Sequence, residues 1–473
     1  MTVTINKMSA GKGYEYLLRT VAAGDGDRSL STPLTRYYTE AGTPPGRWLG
    51  SGVASLESVI QPGVEVTEEQ LRLLIGQGTH PTTGEPLGRR YRTYGQPEAG
   101  KRRHAVAGYD LTFSIPKSAS VLWGVADGGT QALIAEAHHA AVVDALDFLE
   151  REVLATRVGV KGPKGAVAQV EVTGAVAAAF DHYDSRANDP HLHTHVVISN
   201  KVKTVRDGQW RAVDGAPLHA WVVALSELHE ASFSDHLTRT LGVGWERRPR
   251  GRDRNPAWEI AGVPQSLVET FSSRARDIDA TTDHLIEEYV AKNGRRPRRS
   301  TIMKLRQQAN LSNRPTKHVH SLANLTDLWR RRTAALIAAD PVAWARDVTS
   351  TPRAGLLRAD DVPLDLIDDV GRLVVAAVGE KRSTWRRANL YAEAARQTLG
   401  WRFASTADRE AITGLVVDAA ERCSLRLTPP ELAVTPQPFL RDDGTSAFRP
   451  NHSTVFSADH LLAAEDRLLE RSA

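Results

Sequence analysis

The 473-residue sequence contains almost no cysteine and no long apolar run. Its single cysteine, Cys423, excludes an internal disulfide and is typical of a protein that works in a reducing cytoplasm. No stretch approaches the roughly 18 consecutive apolar residues that a membrane helix needs. Residues 1–8 lack a basic region followed by an apolar core, so no secretory signal is expected. We therefore expect a cytoplasmic protein.

A nucleotide-binding phosphate loop is also missing. The pattern Gly-x-x-x-x-Gly-Lys followed by Ser or Thr does not occur, and Gly11-Lys12-Gly13 fails it on both sides. Such a loop cradles the phosphates of ATP with its backbone N–H groups. We therefore expect no ATP hydrolysis from this polypeptide.

Basic residues are abundant and unevenly distributed. The net charge is only +4, but lysine and arginine are concentrated in three segments. Local basic clusters favour a polyanion partner more than the net charge suggests, and the competing interpretation is a solvated charged loop. The clusters are Lys101, Arg102 and Arg103; Arg247, Arg248, Arg250, Arg252 and Arg254; and Lys292, Arg295, Arg296, Arg298, Arg299, Lys304 and Arg306.

The secondary-structure pattern predicts an α+β fold. Short alternating segments read as strands, whereas residues 129–153 carry apolar positions near a 3.6-residue period. Antiparallel strands mixed with long helices predict a central antiparallel sheet covered by helices, with a mainly helical C-terminal region. A chain of this length exceeds what one core usually serves. We expect a first domain over 1–300, a basic linker over 301–320 and a mainly α-helical region over 321–473.

The most informative segment carries four closely spaced histidines. Residues two apart in a strand share a face, so His193 and His195 are predicted to project side by side. The polar segment before His191 reads as a turn that folds His182 back against the pair. Three neutral imidazoles from adjacent strands can hold a metal and leave positions open for substrate. His191, at the turn, is the histidine that we least expect to take part.

Two pairs of tyrosines lie near the N-terminus. Tyrosine attacks a phosphoester when its phenol is deprotonated and the electrophile is polarised. Tyr14 and Tyr16 bracket Glu15 on a predicted short helix, where residues two apart do not share a face. One of them is therefore expected to pack and the other to be exposed. The second pair is Tyr37 and Tyr38.

One carboxylate and one amine complete the predicted chemistry. Asp110 lies among strand-forming residues, where a carboxylate often orients a metal-bound histidine or acts as a base. The competing interpretation is an ordinary carboxylate at a turn or sheet edge. Lys117 is a candidate phosphate contact, although it also suits an exposed turn.

Taken in order, these motifs resemble the MobF-type conjugative relaxases, which belong to the HUH single-strand endonucleases. The resemblance covers roughly residues 1–300, and its three motifs occur in the order of the family. They are the N-terminal tyrosines, then Gly108-Tyr109-Asp110-Leu111-Thr112-Phe113-Ser114-x-Pro116-Lys117-Ser118, then His182 with Asp189-Pro190-x-Leu192-His193-Thr194-His195.

The resemblance implies a metal-dependent DNA strand transferase. His182, His193 and His195 would hold one divalent ion, Mg²⁺ or Mn²⁺, against the scissile phosphate of single-stranded DNA. A tyrosine of the first pair would attack and stay joined to the 5′ end, with help from Asp110. The second tyrosine pair would serve in the later rejoining. Because imidazoles also suit transition ions, several metals are expected to bind.

The resemblance also implies partners and DNA contacts. The expected DNA is an origin-of-transfer site with a hairpin, and the expected protein partners are a relaxosome and type IV secretion coupling proteins. The protein would then pass to a recipient cell while bound to DNA. The resemblance supplies Arg186 as a candidate DNA contact. The other candidates, Lys117, Arg247, Arg248, Arg250, Arg295 and Arg296, rest on their own segments and on the basic clusters.

The sequence departs from the family in two places. Glu15 separates two tyrosines that are adjacent in many members, which leaves the nucleophile open between Tyr14 and Tyr16, with Tyr14 favoured. Full-length relatives also carry a helicase, so we expect a truncated or naturally short form. Alternatives are a rolling-circle replication initiator, a non-catalytic metal- and DNA-binding protein, and a cupin-like oxidase, which would need more strands and no basic tail.

Overall fold

The computed structural model describes residues 2–15, 17, 45–94, 103–159, 166–250, 255–313, 320–350 and 355–472. Three of the predicted catalytic residues lie outside this part of the chain, and so do four of the clustered basic residues. They are Tyr16, Tyr37 and Tyr38, and Lys101, Arg102, Arg252 and Arg254.

Among the described residues, five strands form an antiparallel sheet at the centre of the molecule: β1 (Val3–Ser9), β2 (Arg47–Leu49), β5 (Val106–Ser114), β8 (Ala177–Asp184) and β9 (Pro190–Ser199). Their order across the sheet is β1-β5-β9-β8-β2. Short two-stranded ladders surround it. They pair β3 (Thr93–Tyr94) with β4 (Arg103–His104), β6 (Thr156–Gly159) with β7 (Val167–Val170), β10 (Val202–Lys203) with β11 (Trp210–Arg211), β12 (Trp245–Arg248) with β13 (Ala257–Ile260), and β14 (Leu425–Arg426) with β15 (Phe456–Ser457).

Helices cover the sheet and make up most of the C-terminal third. In the part of the chain that the structure describes, no helix has the length and apolar character needed to cross a membrane. The described α-helices are α1 (Glu68–Leu71), α2 (Lys117–Val125), α3 (Gly128–Glu152), α4 (Gly215–Leu241), α5 (Gln265–Thr270), α6 (Ser273–Asn293), α7 (Arg299–Ser312), α8 (Leu322–Ile337), α9 (Pro341–Thr349), α10 (Leu364–Gly379), α11 (Arg387–Gln397), α12 (Thr406–Arg422) and α13 (Asp459–Ser472).

The alternation of β5 and β9 determines which face of the sheet is buried under the long helices. Leu111, Phe113, Val196 and Ile198 point to one face and share a core with apolar residues of α3 and α4. Asp110, Thr112, His193 and His195 occupy the alternate positions and therefore point to the other face. The predicted α+β class, with a central antiparallel sheet covered by helices, is confirmed.

The predicted long helix at 129–153 is present as α3, one residue earlier at each end. Asp127 begins it by accepting a hydrogen bond from the backbone N–H of Thr130. The segment predicted as a basic linker, 301–320, is helical over its first twelve residues, because α7 runs through them. The division of the chain at 300 and 320 stays a prediction.

The C-terminal helices belong to the same hydrophobic core as the sheet. Apolar residues of α10, α11 and α12 join the cluster formed by β5, β9, α3 and α4. A buried ion pair strengthens this junction: the Arg409 guanidinium of α12 donates to both carboxylate oxygens of Asp235 on α4, at 2.7 and 2.8 Å. The same guanidinium donates to the carbonyls of Thr398 and Trp401.

We predict that Arg409→Ala strongly destabilises the protein. The side chains of Arg409 and Asp235 are 1% and 2% exposed, so the variant would leave a buried carboxylate without its cation. Loss of one partner from such a pair costs roughly 3–5 kcal/mol. Urea unfolding of the full chain measures it. Arg422→Ala, which removes an exposed pair with Asp368, is the control and should change the unfolding free energy little. Equal effects of the two variants would contradict the prediction.

Candidate functional site

Three histidines meet on the open face of the central sheet. His182 on β8 stands directly opposite His193 on β9, and His195 follows two residues later on the same face. One ligand nitrogen from each ring lies within 4.8 Å of those of the other two. Their ring centroids are 4.8 to 5.4 Å apart. The predicted three-histidine arrangement is therefore formed by these residues.

A tight turn makes this arrangement possible. The backbone N–H of Ser185 donates to the carbonyl of Asp189 at 2.9 Å, and Asn188 adopts a left-handed φ of 56° between them. Asparagine tolerates this conformation better than most residues. Pro190 then opens β9 at a position where a missing N–H is acceptable. The local sequence thus supplies both the turn and the strand that carries two of the histidines.

The opposite face of the same strands is fixed by buried polar contacts. Asp181, beside His182, accepts a hydrogen bond from the Thr194 hydroxyl at 2.5 Å. Its carboxylate also pairs with Arg47 at 2.7 Å and with His139 at 2.9 Å. Burial alone would raise the pKa of Asp181, but His139 and Arg47 hold it well below its usual value. The residue stays charged and ties β8 to its neighbours.

Hydrogen bonds set which nitrogen of two rings can act as a ligand. His195 Nδ1 lies 2.9 and 3.1 Å from the carboxylate oxygens of Asp110, and the Thr112 hydroxyl is 3.2 Å away. His193 Nδ1 lies 2.7 Å from the backbone carbonyl of His191. Because carboxylates and carbonyls only accept, both Nδ1 atoms carry the proton. Nε2 is then the nitrogen that can donate a lone pair to a metal.

The surroundings of His193 favour its neutral imidazole. The pKa of His193 is well below its usual value, first because the ring is buried and then because His191, His182 and His195 lie close to it. A neutral imidazole is the form that binds metals. His193 therefore has the protonation state of a metal ligand, and the three imidazoles have the donor type of a divalent-metal site.

A cavity of about 1000 Å³ opens over the triad. It brings together residues that the sequence analysis had identified separately. Alongside the three histidines, its walls include Asp110, Lys117, Arg186, Arg248 and Arg250. Arg247, Arg295 and Arg296 are not among the residues that form its walls.

The positions of Lys117 and Arg248 are fixed by hydrogen bonds within the protein. Lys117 Nζ donates to the carbonyl of Pro190 at 2.6 Å, and burial lowers the pKa of Lys117 to about 8. Arg248 donates to Glu246 and, at 2.6 Å, to the carbonyl of Val263. Arg248 therefore holds the β12–β13 ladder to the following loop, whereas Arg250 is exposed at the cavity.

Tyr14 lies apart from the cavity, in an apolar cluster on the same side of the sheet. It is 8% exposed and packs with Met8, Leu74 and Ile75 among others. Burial raises the pKa of Tyr14, and Glu15 and Glu68 raise it further. These surroundings disfavour the phenolate. Tyr16, Tyr37 and Tyr38 lie outside the described residues.

Several residues of the cavity wall were not identified from the sequence as part of the site. Arg274 and Arg276 of α6 line the cavity, as do Asn6 of β1 and Arg306 of α7. Arg306 had been noted only as part of a basic cluster. The sequence shows only that Arg274 and Arg276 lie two residues apart near the start of a helix. Their spacing does not indicate that the start of this helix faces the histidines.

The region of the chain that contains this site is similar to known proteins. Residues 10–336 match the model of a family described as TrwC relaxase. The chain is 34% identical over 261 residues to a multifunctional conjugation protein TraI of Escherichia coli, and 33% identical to that of strain K12. Each match covers 51% of this chain and 13% of the relative. The match therefore spans only a small part of those proteins.

Solved structures show the same similarity. A conjugative relaxase TrwC in complex with oriT DNA, in a copper-bound form, aligns with a TM-score of 0.52 at 26% identity, covering 72% of this chain and 99% of that one. A metal-bound TrwC complex with oriT DNA aligns with a TM-score of 0.51 at 25% identity and the same coverage. TrwC with a 27-mer DNA comprising the recognition hairpin and the cleavage site aligns with a TM-score of 0.50 at 25% identity, also with this coverage.

We predict that His193→Ala removes most of the affinity for Mn²⁺, because His193 is the ligand opposite His182. Even the loss of a residue that supports a ligand weakens metal binding roughly 10- to 100-fold, so the loss of a ligand should cost at least that. Calorimetric titration of the full chain measures it. His191→Ala is the matched control, since it keeps the backbone carbonyl that bonds to His193 Nδ1. Unchanged Mn²⁺ affinity in His193→Ala would show that the triad is not the metal site.

Proposed function

Because this chain belongs to the TrwC relaxase family, that of MobF-type conjugative relaxases, we propose that it cleaves and rejoins one DNA strand at an origin of transfer. The proposed reaction is a transesterification in which a tyrosine replaces one phosphodiester oxygen. The bond energy is kept in a 5′-phosphotyrosyl link, so rejoining needs no ATP. The single observation that carries the proposal is the three-histidine site at a cavity lined by cations.

The residues of the triad fit a divalent ion. They offer three imidazole nitrogens within 4.8 Å of one another. In His193 and His195 the proton is held on Nδ1 by a hydrogen bond, which leaves Nε2 as the nitrogen that can bind an ion. A bound ion would withdraw charge from a phosphate oxygen and so make the phosphorus a better electrophile. Imidazole ligands favour transition ions, so we propose that Mn²⁺ supports the reaction and that several other ions bind.

Asp110 has a defined task in this proposal. Its carboxylate accepts from His195 Nδ1, so it orients the ring and keeps Nε2 available as a ligand. The same contact raises the electron density of the imidazole. This geometry favours the orienting role of Asp110 over the role of a base for the nucleophile.

The cations of the cavity would bind and position the DNA backbone. Arg186 and Arg250 line the cavity on the sides of the turn and of β12. Lys117 is held beside the start of β9 by the Pro190 carbonyl. A phosphate placed over the histidines would lie among these groups, which fits a single strand that follows a positively charged groove.

The nucleophile is proposed to be Tyr16. The sequence favoured Tyr14, but Tyr14 is buried among apolar residues and its pKa is raised, first by that burial. Both conditions oppose the attack of its oxygen on a phosphate over the triad. One tyrosine of the pair was expected to pack and the other to be exposed, so with Tyr14 packed we assign the reaction to Tyr16. The later strand transfer is proposed for Tyr37 or Tyr38.

The wider setting remains part of the proposal. The expected partners are single-stranded DNA with a hairpin, a relaxosome and type IV secretion coupling proteins. The TrwC structures contain oriT DNA, which supports the choice of substrate class. A rolling-circle initiator would share the metal and tyrosine chemistry, but the family match favours a relaxase.

We predict that the full chain with Mn²⁺ forms a covalent adduct with single-stranded oligonucleotides that contain the cleavage site. Attack by tyrosine leaves the 5′ end on the protein, so a 3′ label should become protein-linked and a 5′ label should be released. Tyr16→Phe should abolish the adduct because phenylalanine lacks the oxygen. Tyr14→Phe is the matched control and should retain it, because the ring packing is kept.

Mass spectrometry of the trapped peptide decides between the tyrosines. A nucleotide on Tyr14 would reverse the assignment, and one on Tyr37 or Tyr38 would show that the second pair acts first. Clean cleavage without any protein-linked DNA would contradict the transesterification and indicate a metal-dependent nuclease.

We also predict that DNA affinity falls with salt through the cavity cations. Each phosphate contact to single-stranded DNA contributes about 0.7 to the slope of log affinity against log salt. Arg250→Gln should therefore reduce that slope by about 0.7. Arg247→Gln is the control, because Arg247 is exposed but does not line the cavity. Fluorescence anisotropy at several salt concentrations measures both, and equal slopes for the two variants would place the DNA elsewhere.

A further inference from the structure

Asp189 lies at the end of the histidine turn and is almost fully buried, with 1% of its surface exposed. Its carboxylate reaches away from the turn to helix α6. One oxygen accepts from the backbone N–H of Ser273 at 2.9 Å, and the other lies 3.4 Å from the Ser273 hydroxyl. Ser273 is the first residue of α6, where unpaired N–H groups and the helix dipole favour a negative charge. The turn and the start of α6 are thus joined directly.

The start of α6 is the part of this helix that faces the triad. Arg274, Ala275, Arg276 and Ile278 line the cavity within its first turns. Ser273, which donates to Asp189, directly precedes Arg274 in the chain. A small movement of this helix end would shift both arginines relative to the histidines.

Arg332 of α8 holds the same carboxylate from the other side. Its guanidinium donates to Asp189 at 3.3 Å and to the carbonyl of Thr270 at 3.1 Å. The guanidinium also lies over the Phe271 ring, 4.5 Å from the ring centre. Arg332 therefore connects the turn to the segment just before α6. Trp329, on the same helix, donates from Nε1 to the Asn188 carbonyl at 2.8 Å.

We propose that Asp189 is a positioning residue that fixes the arginine-bearing start of α6 over the triad, and that Arg332 holds its carboxylate in place. The proposal rests on the proposed binding of DNA in this cavity. It assigns α8 to the DNA-cleaving unit, although the sequence analysis placed that helix beyond the first domain. The triad itself depends on the pairing of β8 and β9 and does not need this contact.

The charge change in Asp189→Asn separates positioning from simple electrostatics. Asp189 lines the cavity, so removal of its negative charge should by Coulomb attraction alone strengthen the binding of a polyanion. Positioning predicts the opposite sign, because the start of α6 loses its anchor and its arginines leave their place. The sign of the change in DNA affinity therefore distinguishes the two explanations.

The experiment measures binding of a fluorescein-labelled oligothymidylate to the full chain, with a chelator present so that no cleavage occurs. Mn²⁺ affinity is measured separately, without the chelator. For Asp189→Asn we expect roughly tenfold weaker binding, or about 1.4 kcal/mol. We also expect faster hydrogen exchange of the backbone amides at 273–280 and unchanged Mn²⁺ affinity. Arg332→Gln should act in the same direction, whereas Arg332→Lys, which keeps the charge, should restore part of the affinity.

Two variants serve as controls. Glu269→Gln removes a carboxylate from the same cavity without touching the start of α6, and should bind the oligonucleotide as well as or better than the wild type. Arg330 also lies on α8, but its guanidinium donates to the carbonyls of Val125 and Ala126 and not to Asp189. Arg330→Gln should therefore leave the DNA affinity unchanged.

Three results would overturn the proposal. The first is equal or tighter binding by Asp189→Asn, even if exchange in α6 becomes faster. The second is an equal loss of DNA affinity in Arg330→Gln, which would show that any disturbance of the packing of α8 weakens binding. The third is a parallel loss of Mn²⁺ affinity, which would make Asp189 a support of the triad instead. A wild-type chain that does not bind the oligonucleotide at all would overturn the premise that single-stranded DNA of any sequence lies in this cavity, and this inference with it.

Discussion

The pairing of β8 with β9 is the constraint on which the rest of the site depends. Its register places His182 opposite His193 and leaves His195 on the same face. A slip by one residue would turn the histidines of one strand to the buried face, because side chains alternate along a strand. Asp181 and Thr194, which occupy that buried face, form a direct hydrogen bond and so favour the observed register. The metal site is thus a consequence of strand pairing.

The open face of the sheet is divided between packing and chemistry. An apolar cluster that contains Tyr14, Trp48 and Phe180 covers one part, and the cation-lined cavity lies over the histidines. The cluster gives the sheet a second buried face without closing the site. A phosphate backbone in the cavity would meet the three imidazoles, which would hold the metal ion, and the arginines of the cavity wall, an arrangement that suits stabilisation of charge on a phosphoryl group. The division explains how one face can be both stable and accessible.

The sequence predicted those parts of the fold and site that depend on neighbouring residues. The period-two spacing of His193 and His195 and the Asp-Pro turn before them are local, and the structure shows the predicted hairpin. Arg274, Arg276 and Arg332 were missed because their place is set by contacts between residues far apart in the chain, such as Asp189 with Ser273. The C-terminal helices carried no motif, and their inclusion in the core depends on packing and on Arg409 reaching Asp235. Helical periodicity predicts a helix but does not identify its neighbours.

The position of a bound metal ion is the most direct test of the three-histidine site. Crystals of the full chain grown with Mn²⁺ would locate the ion by its anomalous scattering. We predict one strong peak about 2.1 Å from a nitrogen of each of His182, His193 and His195, by analogy with other metal–imidazole bonds. We also predict that Asp110 still accepts from His195 Nδ1 in that structure. A peak bound by carboxylates such as Asp184 and Asp189, or by only one of the three histidines, would contradict it.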